Sequence, residues 1–148
     1  MTSDIQRLQD IEDIRQLKAR YTRYSDTHDW DNWRKLFVDD FVLDVEGQPR
    51  PSKDLPERGW AQGIDAIANA AAELLDGVVT AHQVLLPDIT ITGPDTATGV
   101  WAVKDEIWFP TCHFKGWGHY HEKYLRTHDG WRIVSTRVTR TRVEEHWL

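Results

Sequence analysis

Val-Val-Thr-Ala-His-Gln-Val-Leu-Leu, residues 78–86, marks the point where the chain changes from helical to strand patterning. The run is β-branched and apolar, as a half-buried strand requires, yet it carries an imidazole, His82, at its middle. Strands are predicted at 78–86, 88–92, 96–109, 116–127 and 131–143, with Gly93-Pro94-Asp95 and His128-Asp129-Gly130 supplying turn chemistry. Upstream, Ser3 and Gln6 fit a capping box. Ile5, Leu8, Ile11, Leu17, Tyr21 and Tyr24 recur at helical spacing, which predicts one long amphipathic helix over 4–27. A short helix over 30–38, burying Trp30, Trp33, Leu36 and Phe37, precedes a strand at 41–45. Residues 46–62 hold Gly47, Pro49, Pro51, Pro56 and Gly59 and read as a long loop, either a lid or a passive connection. An alanine-rich helix over 64–75 stops at Asp76-Gly77. Helices followed by an antiparallel meander define an α+β domain. The expected form is a cone-shaped curved antiparallel sheet wrapped around the N-terminal helices, an α+β barrel enclosing a pocket.

Composition narrows the classes of function. A length of 148 residues suits a single domain spanning 1–148. Eighteen Lys plus Arg against 24 Asp plus Glu leave a net charge of −6 and no basic block that could track phosphates, so nucleic acid is not an expected partner. No apolar run approaches the roughly 18 residues of a membrane span. The lone Cys112 has no internal disulfide partner and the polar start lacks signal-peptide character, so the expected location is cytoplasmic.

Candidate chemistry centres on His82 and Asp26. Histidine titrates near neutrality, at about 6.5 when unperturbed, and a carboxylate partner would fix its tautomer and support its charged form. Asp26 falls in the last helical turn, where the negative end of the helix dipole disfavours an acid, so it is locally misplaced. Tyr21 and Tyr24, three residues apart, can reach one cavity; their other role is packing with hydroxyls at the rim. Asp105 shares strand parity with Trp101, Val103 and Ile107 and is either a pocket acid or a solvent-facing strand-end residue. Arg140 alternates with Val134, Thr136 and Val138, a face that reads as inward, whereas Arg137 alternates with Ser135 and Thr139. His119 and His121 share a strand face, as in some metal sites, but no compact ligand spacing with a third assured ligand accompanies them, so no metal is expected. Eight Trp residues offer rigid apolar walls, and the terminal Trp147-Leu148 pair would suit a subunit contact.

Asp-Ile-Arg-Gln-Leu-Lys-Ala-Arg-Tyr (13–21) and Gly-His-Tyr-His-Glu-Lys-Tyr (118–124), taken with this element order, resemble the SnoaL-like branch of the nuclear-transport-factor-2-like superfamily. In motif the chain looks most like the bile-acid 7α-dehydratases. The resemblance implies catalytic roles for Tyr21, Asp26, His82, Asp105 (after Thr98-Gly99-Val100-Trp101) and Arg140, with Tyr24, Trp101 and Tyr120 expected against substrate. It implies a cofactor-independent lyase or isomerase, dehydratase-like, acting on a hydrophobic carbonyl compound such as a steroid or polyketide. It also implies a homo-oligomer, a trimer ahead of a dimer. An aldol-type cyclase or epoxide hydrolase would use the same fold, and so would a non-catalytic binding or structural subunit like the β subunits of ring-hydroxylating dioxygenases.

Overall fold

The computed structural model describes residues 3–148. Ser3 caps the first helix, α1 (Asp4–Asp26), its hydroxyl accepting from the Gln6 amide at 3.1 Å. From Ile11 onward α1 buries the side its apolar spacing predicts, with Leu17 in the core and Tyr21 and Tyr24 packed on it, but the first two turns depart from it. Ile5 and Leu8 are 82% and 63% exposed, while Asp10, Ile14, Leu17, Lys18 and Ser25 are buried. Ion pairing explains why Asp10 and Lys18 can be buried. Asp10 accepts from Arg126 at 2.8 Å, Gln6 at 3.0 Å and the Trp131 indole at 3.3 Å, and Lys18 donates to Glu122 at 3.1 Å. Charges satisfied in this way can face a core.

Asp29 caps a single-turn helix, α2 (Trp30–Trp33), which tightens into a 3-10 turn at Arg34–Leu36. Phe37 already opens β1 (Phe37–Glu46), so the helix is shorter and the strand longer than predicted. Extended backbone puts Phe37 and Phe41 on one face, with ring centroids 4.4 Å apart, and leaves Phe37 4.6 Å from Trp33. Within the predicted loop, Arg58–Gln62 forms β2, which pairs antiparallel with β1, and α3 (Ile64–Leu74) follows.

The remaining strands are β3 (Val79–Ile91), β4 (Thr96–Trp108), β5 (Cys112–Thr127) and β6 (Gly130–Trp147). Together they make one curved, unclosed six-stranded sheet in the order β2-β1-β6-β5-β4-β3. Every pairing is antiparallel except β1 with β6, which is parallel and which the meander pattern did not anticipate. Residues 78–86 and 88–92 belong to a single strand, interrupted where Leu86 adopts φ 45° before Pro87 and the register shifts between Leu85 and Asp88. Proline has no amide hydrogen for the ladder, and the bulge absorbs it. A second bulge falls at Val134, since Lys123 pairs with Ser135 but Tyr124 with Ile133. Ile133, not Val134, therefore joins Thr136 and Val138 among the buried residues. A third lies between Trp117 and Gly118; a Cβ at Gly118 would run into the Thr139 carbonyl, so glycine permits β5 and β6 to approach there.

The main core lies between α1 and the sheet's concave face, built from Ile14, Leu17, Trp33, Phe41, Trp101, Val103, Tyr120, Tyr124, Ile133 and Val138 among others. A smaller cluster of Val78, Ile107, Phe109, Cys112 and Phe114 takes in Trp147. Trp147 is thus packed by its own chain, and only Leu148, 82% exposed, remains of the terminal pair offered for a subunit contact. Among the described residues no helix is long and apolar enough to cross a membrane.

The exposure of Leu8 beside a buried Asp10 has a direct consequence. Leu8→Ser is expected to change stability by less than about 0.5 kcal/mol, while Asp10→Ala, which strands the Arg126 and Trp131 donors, costs about 3 kcal/mol. Urea denaturation of the two variants measures both.

Candidate active site

The last residue of α1, Asp26, meets the edge strand β3 through three hydrogen bonds. Its Oδ1 lies 2.7 Å from His82 Nδ1 and accepts from Thr80 Oγ1 at 2.9 Å; its Oδ2 accepts from the His82 backbone amide at 3.0 Å. Burial works to raise the Asp26 pKa, but the hydrogen bonds and the imidazole of His82, with Thr80, outweigh it and hold the carboxyl below its ordinary value. An ionised Asp26 is an acceptor only, so a neutral His82 must present Nδ1–H to it, leaving Nε2 as the free basic nitrogen. The two side chains keep 11% and 28% of their surface, so the pair is shielded but not sealed.

Tyr21 stands over this pair. Its ring meets His82 edge-on at 6.4 Å and Tyr120 edge-on at 5.9 Å. Burial drives the Tyr21 phenol well above its ordinary pKa; hydrogen bonding with Tyr120 works against this, and the Glu122, Asp105 and Asp26 carboxylates add to the rise. Tyr21 is therefore a protonated donor at neutral pH, not a phenolate.

Asp105 sits directly across from His82 in the β3–β4 ladder. Of its two sequence alternatives, the interior one holds: Asp105 is buried and forms a bidentate pair with Arg140, at 2.6 and 3.0 Å. Arg140 also donates Nε–H to the Gly47 carbonyl at 3.3 Å. Parity separates Arg140 correctly from Arg137, which is exposed. Gly116, opposite Asp105 on β5, makes the pair possible, because a Cβ there would collide with both its charged groups.

The other candidates scatter. Tyr120 is buried beside Tyr21, and its cross-strand partner Trp101 lies in the core with its indole donating to Tyr124 at 2.8 Å. Tyr24 does not share the His82 site; it lines a separate cleft of about 350 Å³ between α1, the 3-10 turn and the β5–β6 turn, with Leu17, Arg20, Asn32 and Trp131 among its walls. His119 and His121 lie 6.3 Å apart on the opposite sheet face from His82, so the three cannot share one ion. Among the described residues no group of three or more His, Cys, Asp or Glu could hold a metal ion.

Comparison with known proteins places the chain in a family. The family of SnoaL-like domains aligns with residues 6–137. The chain belongs to the SnoaL-like domain family. No curated protein matches the sequence. Among solved structures, a type 2 hexachlorocyclohexane dehydrochlorinase superposes with a TM-score of 0.80 at 16% identity, covering 97% of this chain and 93% of the other. A candidate scytalone dehydratase from Novosphingobium aromaticivorans gives 0.78 at 16% identity, with 96% and 91% covered. The β subunit of a benzoate 1,2-dioxygenase from Burkholderia mallei gives 0.70 at 17% identity, with 89% and 91% covered. These likenesses establish the shared fold.

Within this SnoaL-like cone, sequence reasoning missed Thr80, Lys18 and Glu122. Thr80 shares strand parity with His82 two residues on, which was a usable signal. Lys18 and Glu122 look like surface charges in their helix and strand, and only the fold brings their side chains to 3.1 Å at zero exposure.

Two measurements check this geometry. Gly116→Ala should cost about 3 kcal/mol by forcing Asp105 and Arg140 apart, read by urea denaturation. Because Asp26 has a depressed folded pKa, its contribution to stability is complete above the ordinary carboxylate value and disappears as pH falls through the folded value. Asp26→Asn should therefore flatten the acid side of the stability profile, measured by urea midpoints at a series of pH values, with Asp10 and Glu106, whose carboxyls are also held low, contributing to the acid sensitivity that remains.

Proposed function

We propose that the protein is a cofactor-independent lyase or isomerase of dehydratase type, acting by proton abstraction on a hydrophobic carbonyl compound such as a steroid or polyketide. The observation that carries this reading is the 2.7 Å contact between Asp26 Oδ1 and His82 Nδ1, with Tyr21 against the same imidazole. His82 Nε2 would take a proton from the carbon next to the carbonyl, and Asp26 would stabilise the imidazolium so formed. The electron pair left on carbon moves into the carbonyl, and Tyr21, held in its protonated form, is the donor for the resulting oxyanion. Collapse of the enolate expels a β-hydroxyl, which takes the proton back from His82 and leaves as water. Returning the proton to a different carbon instead would complete an isomerisation.

The spacing of Tyr21, Asp26, His82, Asp105 and Arg140, which resembles the bile-acid 7α-dehydratase pattern, supports a dehydratase over other lyases. In this reading Asp105 and Arg140 act as one ion pair that fixes the wall opposite His82. The reading includes a homotrimer, supported by Val79, Leu85 and Leu86, which are 65%, 56% and 89% exposed on the edge strand β3. A structural-subunit role is favoured by a different observation, the filling of the cone's base by Phe41, Trp101, Tyr120 and Tyr124. Native mass spectrometry of protein from its own host separates the two: a retained small molecule on a homo-oligomer supports the enzyme, and a tightly bound unrelated chain with no ligand supports the subunit.

Activity is tested by solvent deuterium incorporation next to the carbonyl across a panel of cyclic and β-hydroxy ketones. His82→Ala is expected to slow exchange by about 10² to 10⁴-fold, with Asp26→Asn also slowed. Exchange by His82→Ala at the wild-type rate removes the proposed base.

A further inference from the structure

Lys18 is the buried charge that the mechanism above leaves unused. Its side chain and that of Glu122 are both at 0% exposure, and Nζ donates to Glu122 Oε2 at 3.1 Å. Glu122 is held from every side: Thr136 donates to Oε2 at 2.6 Å, and Tyr124 donates to Oε1 at 2.9 Å while accepting from Trp101 at 2.8 Å. An ammonium has three donors, and Lys18 gives one to Glu122. Its charge rests on two aromatic faces, with Nζ 3.7 Å from the ring centroid of Tyr21 and 3.7 Å from that of Tyr120. Tyr21 is the phenol that stands beside His82, and Tyr120 is its ring neighbour.

Stability alone does not explain this arrangement, because a buried ion pair can often be exchanged for apolar residues of similar volume without loss. Position offers a better account. Tyr21 feels three carboxylates, Glu122, Asp105 and Asp26, each of which works against any negative charge near its hydroxyl. A cation against the ring face offsets them and draws electron density from the phenol, which makes its O–H a stronger donor. We propose that Lys18, anchored by Glu122, is a positioning residue that tunes the Tyr21–Tyr120 phenol pair to stabilise a developing oxyanion on the bound substrate. This inference rests on the proposed site at His82 and Tyr21 and adds an electrostatic residue to it.

The test compares binding of 4-nitrophenolate, at a pH where it is ionised, with binding of nitrobenzene, a neutral molecule of nearly the same shape. The expected wild-type preference for the anion should fall about ten-fold in Lys18→Met, with nitrobenzene affinity unchanged. Tyr21→Phe should lose the same preference. If Lys18→Met leaves Glu122 unpaired and does not fold, the double variant Lys18→Met with Glu122→Gln is read against Glu122→Gln alone, so that the two proteins compared differ only in the lysine. A preference lost in Tyr21→Phe but kept in the Lys18 variants overturns the role of Lys18 and leaves the site standing. Equal loss of both ligands in the Lys18 variants assigns the lysine to structure alone and also overturns it. Wild-type protein that fails to bind the anion, or binds it no better than nitrobenzene, overturns this inference together with the site reading on which it rests.

Discussion

The Asp26 carboxylate joins the C-terminal end of the long helix to the free edge of the sheet. Two physical effects oppose it there. The helix dipole places negative potential at that end, and partial burial removes water from the charge. Three donors offset both: the Thr80 hydroxyl, the His82 amide and the His82 ring. One backbone donor and two side-chain donors from alternate residues of β3 fix the strand's register against the helix as well as the imidazole's orientation. The group that would set the tautomer of His82 is thus the same group that ties α1 to the strand carrying it.

Much of this was readable from the chain. The long first helix and the strands from Val79 onward follow from periodicity and turn residues, whereas the pairing of Asp26 with His82 is implied by the resemblance to the SnoaL-like family, with the acid in a last helical turn as its local anomaly. What escaped was governed by tertiary pairing. Asp10 and Lys18 look like solvent-facing charges, and Ile5 and Leu8 like core, because a pattern counts side chains without knowing that Arg126, Trp131 and Glu122 will meet the charges. Val134 was misread as inward because one extra residue in a bulge reverses strand parity, and nothing local marks it. Strand β2, rich in Gly and polar residues, gains its conformation from pairing with β1.

Three ion pairs tie the interior together, and each joins elements distant in sequence: Asp10 with Arg126, Lys18 with Glu122, and Asp105 with Arg140. Desolvation makes such pairs weak contributors to net stability, but an incorrect register would bury each charge without its partner, at a much higher cost. Their value lies in excluding alternatives. Gly116 shows how closely the strands were fitted to this purpose, since even a methyl group opposite Asp105 would displace the pair.

These fixed charges also decide where chemistry can take place. Below the Tyr21–Tyr120 pair the interior is occupied by aromatic rings and by a glutamate whose oxygens are already bonded to Lys18, Thr136 and Tyr124, so it offers neither space nor a free acceptor. At the level of Asp105 the guanidinium of Arg140 is held by a carboxylate and a carbonyl. His82 differs from these: its Nδ1 is committed to Asp26 and its side chain retains a small share of surface, which is what the proposed role of Nε2 as a base requires. The proposed reaction therefore asks of its substrate no polar group deep in the cone, but an oxygen within reach of Tyr21 and an acidic C–H facing the imidazole, with the rest of its surface apolar.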